Sequence, residues 1–134
     1  MAHRVVFVNG CFDILHRGHI ELFEFAKNQG EYLIVALDTD ERVKEKKGAD
    51  RPFNSLRDRK KIVSSIEYVD WVESFSTDDE LTALVRQANP DVMIVGSDWR
   101  GKTVVGSQYA KEITFFERID GYSTTQILQY SSDR

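Results

Sequence analysis

Val5-Val6-Phe7-Val8-Asn9-Gly10-Cys11-Phe12-Asp13-Ile14-Leu15-His16-Arg17-Gly18-His19 is the stretch that decides the fold. It opens on β-branched and aromatic residues, the composition of a strand buried on both faces. Asn9-Gly10 breaks that strand. Beyond Gly18-His19, apolar residues recur at helical spacing: Ile20, Leu22, Phe23, Phe25, Ala26. The stretch therefore predicts a strand over 4–8, a turn holding two histidines, and a helix over 18–29 closed by Gly30. Such a turn lies at the carboxyl end of a strand, where open parallel sheets bind ligands. The helix N-terminus there offers unpaired N–H groups and about half a positive charge, a ready anion site.

Working outward, the same alternation repeats. Apolar runs at 32–37, 92–95 and 113–116, and an alternation of apolar and polar residues over 69–75, predict four more strands. Ser55 predicts the cap of a helix over 56–66, and Thr77 or Asp78 that of a helix over 79–88. The Lys-rich stretch 40–54 reads as a mobile loop, with a short helix at its start as an option. Residues 97–107 read as a polar loop, with a short helix through Tyr109 and Ala110 after it. Ser123-Thr124-Thr125 is a capping run ahead of a terminal helix. Strands alternating with helices, most strands uniformly apolar, predict an α/β fold: a doubly wound parallel sheet of about five strands in one domain over 1–134.

Composition narrows the function classes. With 41% hydrophobic and 30% charged residues the chain reads as globular. Its net charge of -4 argues against binding nucleic acid through a generally basic surface. One cysteine, Cys11, rules out an intrachain disulfide framework. No apolar run reaches the ~20 residues of a membrane span, and the N-terminus lacks the shape of a signal peptide. The expectation is a cytoplasmic protein without membrane or nucleic-acid partners.

His16 and His19 head the candidate site. Two imidazoles beside a helix N-terminus can donate N–H bonds to phosphate oxygens and spread developing negative charge. Metal ligation, with Cys11 and Asp13 close in sequence, is the less favoured reading. Asp13 either satisfies turn N–H groups or orients a site group. Cys11 reads as a small core residue. Lys44, Lys46 and Lys47, with Arg51, would ordinarily be a solvated face. Here they follow the second strand, on the sheet edge that carries the histidines, where a cationic loop serves phosphoryl transfer. Arg59 lies on a helix, and surface and site roles stand level for it. Arg118, Gly121, Ser123 and Thr124 combine a cation, a glycine and hydroxyls at another helix start, a second anion cradle.

Two stretches carry a resemblance. Residues 10–19 resemble the first signature of cytidylyltransferase-like nucleotidyltransferases, and Arg118-Ile119-Asp120-Gly121-Tyr122-Ser123-Thr124-Thr125 resembles the second. The resemblance implies a Rossmann-like fold. It also implies that a phosphorylated small molecule attacks the α-phosphate of a nucleoside triphosphate and releases pyrophosphate, with Mg²⁺ bridging phosphates. By the same resemblance His16, His19, Lys44, Lys47 and Arg118 are catalytic. Asn9, Gly10, Phe12, Asp13, Gly18, Gly96, Asp98, Ser123 and Thr124 bind nucleotide; Lys46 and Arg59 bind the acceptor. No residue is assigned as a metal ligand. Relatives are commonly dimers, and the Trp71 region is the expected interface.

Within the family two branches are in view. Lys47-Gly48-x-x-Arg51-Pro52-x-Asn54, Val69-Asp70-Trp71-Val72 and Gly106-Ser107 resemble adenylyltransferase domains acting on a heptose 1-phosphate. Asp98-Trp99-Arg100-Gly101-Lys102 and Arg118 resemble glycerol-3-phosphate cytidylyltransferases. The sugar-phosphate branch is favoured, with ATP or CTP left open. A nucleotide-binding regulatory module without turnover, and a flavin-binding redox module, are the alternatives of other classes.

Overall fold

The computed structural model describes residues 3–117, 123, 127 and 128. Five strands form one fully parallel sheet: β1 Val5–Gly10, β2 Tyr32–Asp38, β3 Trp71–Phe75, β4 Val92–Gly96 and β5 Glu112–Phe116. Their order across the sheet is β3-β2-β1-β4-β5. The chain steps outward from β1 to β3, then returns to β1's other side for β4 and β5. The reversal between β1 and β4 is the switch point where such sheets leave a crevice at their carboxyl ends. This is the doubly wound, Rossmann-like arrangement expected from the sequence.

Uniformly apolar strands work because both faces are covered. Val6 and Val8, Leu33, Val35 and Leu37, and Val92 and Ile94 pack with Phe23, Ala26 and Val63 on one face. Phe7, Ala36 and Met93 point the other way and pack with Phe75, Leu81 and Val85. Helices α1 Arg17–Lys27 and α3 Leu56–Ser64 cover the first face, and α4 Asp78–Ala88 the second. Among the described residues no helix is long and apolar enough to cross a membrane.

Of the two readings of the Lys-rich stretch, the structure takes the one with a helix at its start. Residues 40–54 begin with two helical turns, α2 Asp40–Lys47. Thr39 caps it, Asp40 and Glu41 open it, and Lys44, Lys46 and Lys47 close it. That charge order favours the helix dipole at both ends. A single apolar anchor, the buried Val43, holds it to the sheet. The lysines are therefore carried on a helix, which fixes which of them face the crevice.

The β1–α1 turn is tight at one point. Phe12 adopts a left-handed backbone conformation with φ 48, uncommon for a bulky residue and costing on the order of 1–3 kcal/mol. This turns its ring back over Gly10, where an added Cβ would stand 2.9 Å from Phe12 Cζ. The ring meets His19 edge-on at 5.3 Å and Phe23 at 5.0 Å between centroids. Gly10→Ala is therefore expected to displace a ring that has no room to move. A loss of about 1–3 kcal/mol, read by urea unfolding, is the expected result.

Candidate active site

A cavity of about 420 Å³ opens at the carboxyl ends of β1, β2 and β4, within the usual range for small-molecule sites. Asn9, Gly10, Phe12, Asp13, His16, Gly18 and His19 line it from β1 and its turn. Asp38, Arg42, Lys46 and Lys47 line it from β2 and α2; Gly96, Asp98 and Trp99 from the end of β4. Ser123 lines the same cavity. The imidazole pair and a hydroxyl from the second signature thus border one space. Arg118 and Thr124 lie outside the described residues.

The two histidines cap the helix whose N-terminus they occupy. Gly18 N–H donates to His16 Nδ1 at 3.1 Å, and His16 N–H donates to His19 Nδ1 at 3.3 Å. This is a reciprocal capping box, built from imidazoles in place of the usual hydroxyl and carboxylate. Both Nδ1 atoms accept, so in the neutral ring each proton resides on Nε2. The rings stack at 3.8 Å between centroids with 24° between planes. Backbone geometry thereby sets the tautomer of both rings and makes each Nε2–H a donor.

Burial lowers the His16 imidazolium pKa from its ordinary 6.5. Its folded pKa lies under its unfolded one, so the unfolded chain binds the proton more readily. Stability from this group is full above about 6.5 and declines as pH falls through that value towards the depressed pKa. An NMR titration of the His16 ring in the ligand-free protein is expected to give a midpoint below 6.5. A nearby triphosphate should raise that midpoint.

Several expected ligands prove to have other positions. Asp13 is 2% exposed, and its carboxylate accepts from Phe53 N–H at 2.6 Å and Asn54 N–H at 2.7 Å. Arg51 Nε stands 3.7 Å away. Asp13 borders the cavity, and its oxygens anchor the segment ahead of α3 in place of the N–H groups of its own turn. Lys44 does not line the cavity. Arg42 and Lys46 are one helical turn apart on α2 and share a face, whereas Lys44 lies between them on another.

Arg59 departs furthest from expectation. It is 0% exposed and lies beneath the site. Its guanidinium donates to Cys11 O at 3.0 Å, Asp38 O at 2.7 Å and Asn54 O at 3.0 Å. It also pairs with Asp40 Oδ1 at 2.7 Å. One side chain ties together the β1 turn, the β2 end, the start of α2 and the approach to α3. With its fork so engaged, Arg59 positions the site and is not placed to bind acceptor phosphate.

Sequence reasoning missed Asp38 and Arg42 as site residues. Arg42 is buried, over the Phe75 ring at 5.0 Å, and donates to Asp78 Oδ1 at 2.7 Å. Burial raises the Asp38 carboxyl pKa, while Arg42, Lys46, Lys47 and Arg59 draw it back. Burial likewise pushes the Cys11 thiol up, in keeping with a core role rather than a nucleophilic one. Among the described residues no group of three or more His, Cys, Asp or Glu side chains is arranged to hold a metal ion.

The chain belongs to the cytidylyltransferase-like family, whose sequence model matches residues 7–129. By that membership it is a nucleotidyltransferase. It is 44% identical over 124 residues to the bifunctional protein HldE of Campylobacter fetus subsp. fetus, and 43% identical over 126 residues to that of Helicobacter hepaticus. These alignments cover 92% and 94% of this chain but only 27% and 26% of the relatives, so the chain spans about a quarter of their length. In fold it is similar to a lipopolysaccharide core biosynthesis protein from Thermoplasma volcanium. The TM-score is 0.69 at 23% identity, covering 91% of this chain and 100% of that one.

Proposed function

We propose that this nucleotidyltransferase transfers adenylate from ATP to a heptose 1-phosphate, releasing pyrophosphate. The observation that carries the reading is the imidazole capping box, whose two histidines line one cavity with Lys46, Lys47 and Ser123. The similarity to HldE proteins supports the choice of branch. An oxygen of the acceptor phosphate attacks the α-phosphorus, and the bond to the pyrophosphate oxygen breaks. That attacking oxygen is already anionic near neutral pH, so no strong general base is required. The chain's work is alignment, which can supply on the order of 7–11 kcal/mol, and placement of N–H and ammonium donors where charge builds.

Mg²⁺ belongs to this proposal as a companion of the nucleotide. Such an ion is ordinarily held by triphosphate oxygens and water, with few protein ligands. It would neutralise phosphate charge there. A cytoplasmic setting and a homodimer are part of the same reading; Trp71, 54% exposed on the outer strand β3, is available for the contact. Light scattering after size exclusion tests the dimer.

The deciding experiment supplies Mg²⁺ with ATP or CTP and either heptose 1-phosphate or glycerol 3-phosphate, and measures pyrophosphate. Release with ATP and heptose 1-phosphate is expected. Release only with CTP and glycerol 3-phosphate would move the chain to the other branch. Nucleotide-dependent thermal stabilisation with no release from any pair would leave a binding module.

A further inference from the structure

The β2 side of the cavity contains a mismatch that a ligand can resolve. Arg42 Nε is buried and has no hydrogen-bond partner among the described residues. Asp38 Oδ1 is 3.8 Å from it, too far for a hydrogen bond. The arginine cannot swing to close the distance. Its Nη2 donates to Asp78 Oδ1 at 2.7 Å, its Nη1 approaches Ser76 O at 3.4 Å, and its plane lies over Phe75. Both residues line the cavity. A buried donor left unsatisfied is costly, so the position calls for an atom that accepts from Nε–H.

The chemistry of that atom is narrowly defined. A phosphate oxygen would accept from Arg42 but would be repelled by the Asp38 carboxylate. An ammonium would suit Asp38 but not the adjacent guanidinium. A neutral hydroxyl satisfies both, because it accepts and donates at once. We propose that Asp38 and Arg42 form a clamp for a hydroxyl group of the phosphorylated acceptor, which takes the Arg42 Nε–H and gives its own proton to Asp38 Oδ1. Such an oxygen, about 2.9 Å from each atom, is at ordinary hydrogen-bond distance. This rests on the reading of a phosphorylated acceptor and specifies it as a polyhydroxy compound. The division of the cavity agrees: Ile94, Val95, Val104 and Val105 give the opposite side an apolar wall, whereas the β2 side carries Asp38, Arg42, Lys46 and Lys47.

The test separates acceptor binding from turnover. Calorimetry is run with heptose 1-phosphate and each of its monodeoxy analogues, on protein saturated with a non-cleavable α,β-methylene analogue of ATP. Asp38→Ala is expected to weaken heptose 1-phosphate binding about tenfold or more while leaving affinity for the nucleotide analogue within about twofold. One monodeoxy analogue should show the same loss on the unaltered protein and no further loss on Asp38→Ala. Unchanged acceptor affinity in Asp38→Ala would overturn the clamp. So would equal further losses for every analogue on the variant, or no binding of the sugar phosphate at all. Should Asp38→Ala not fold, the analogue series on the unaltered protein still decides: no deoxy position with a tenfold loss means no clamp. Acceptor binding that depends on Asp38, without pyrophosphate release, would keep the clamp and reject adenylyl transfer.

Discussion

His16→Asn should lower kcat by roughly 10²–10³-fold with little change in melting temperature. Asparagine is among the best N-cap residues, so its side-chain oxygen can accept from Gly18 N–H as His16 Nδ1 does. What it cannot supply is the Nε2–H. The variant therefore separates the two tasks that the imidazole combines, capping α1 and donating to phosphate. His16→Ala, by contrast, should also lose about 1 kcal/mol of stability through the missing cap. Steady-state kinetics and thermal unfolding of both variants make the comparison. Should kcat and nucleotide affinity fall by the same factor in His16→Asn, the ring would be binding the ground state, not the transition state.

Arg59→Met is expected to be the most destabilising single change in the site. It keeps a long apolar stem but leaves the carbonyls of Cys11, Asp38 and Asn54 without their donor and Asp40 without its cation. Breaking a buried, hydrogen-bonded charge of this kind costs on the order of 3–5 kcal/mol, a fall in melting temperature on the order of 10 °C. Arg59→Lys should recover only part of this, because an ammonium cannot reach four acceptors in separate directions. Urea unfolding measures both. A loss below about 1 kcal/mol in Arg59→Met, within the range of a surface pair, would mean that the guanidinium does not tie these segments together.

These two residues also mark what the sequence could and could not disclose. Most strands were legible as short apolar runs closed by turn residues, and β3 as an alternation of apolar and polar residues. The histidine turn was legible because strand, glycine and helical periodicity lie side by side. Helix α2 was half-legible. Thr39, the acidic start, the basic end and Gly48 are local stop and start signals, but one buried valine gives no periodicity to read. Arg59 was not legible as a buried residue. In Arg57-Asp58-Arg59-Lys60-Lys61 it looks like part of a solvated face, and its burial depends on carbonyls up to 48 residues away in sequence. Asp13 resisted for the same reason, since its partners Phe53 and Asn54 arrive from a distant loop. Arg42 and Asp38 become a pair only once α2 is known to be a helix that follows β2 directly. Non-local pairing of polar groups leaves no periodic trace, whereas apolar patterning does.

The most direct measurement of the central claim is a crystal structure with a non-cleavable triphosphate analogue bound. The account expects phosphate oxygens within about 3 Å of His16 Nε2 and His19 Nε2, with Ser123 Oγ on the same triphosphate. A triphosphate lodged away from the imidazole pair, or rings turned so that Nδ1 faces phosphate and the capping box is broken, would contradict it.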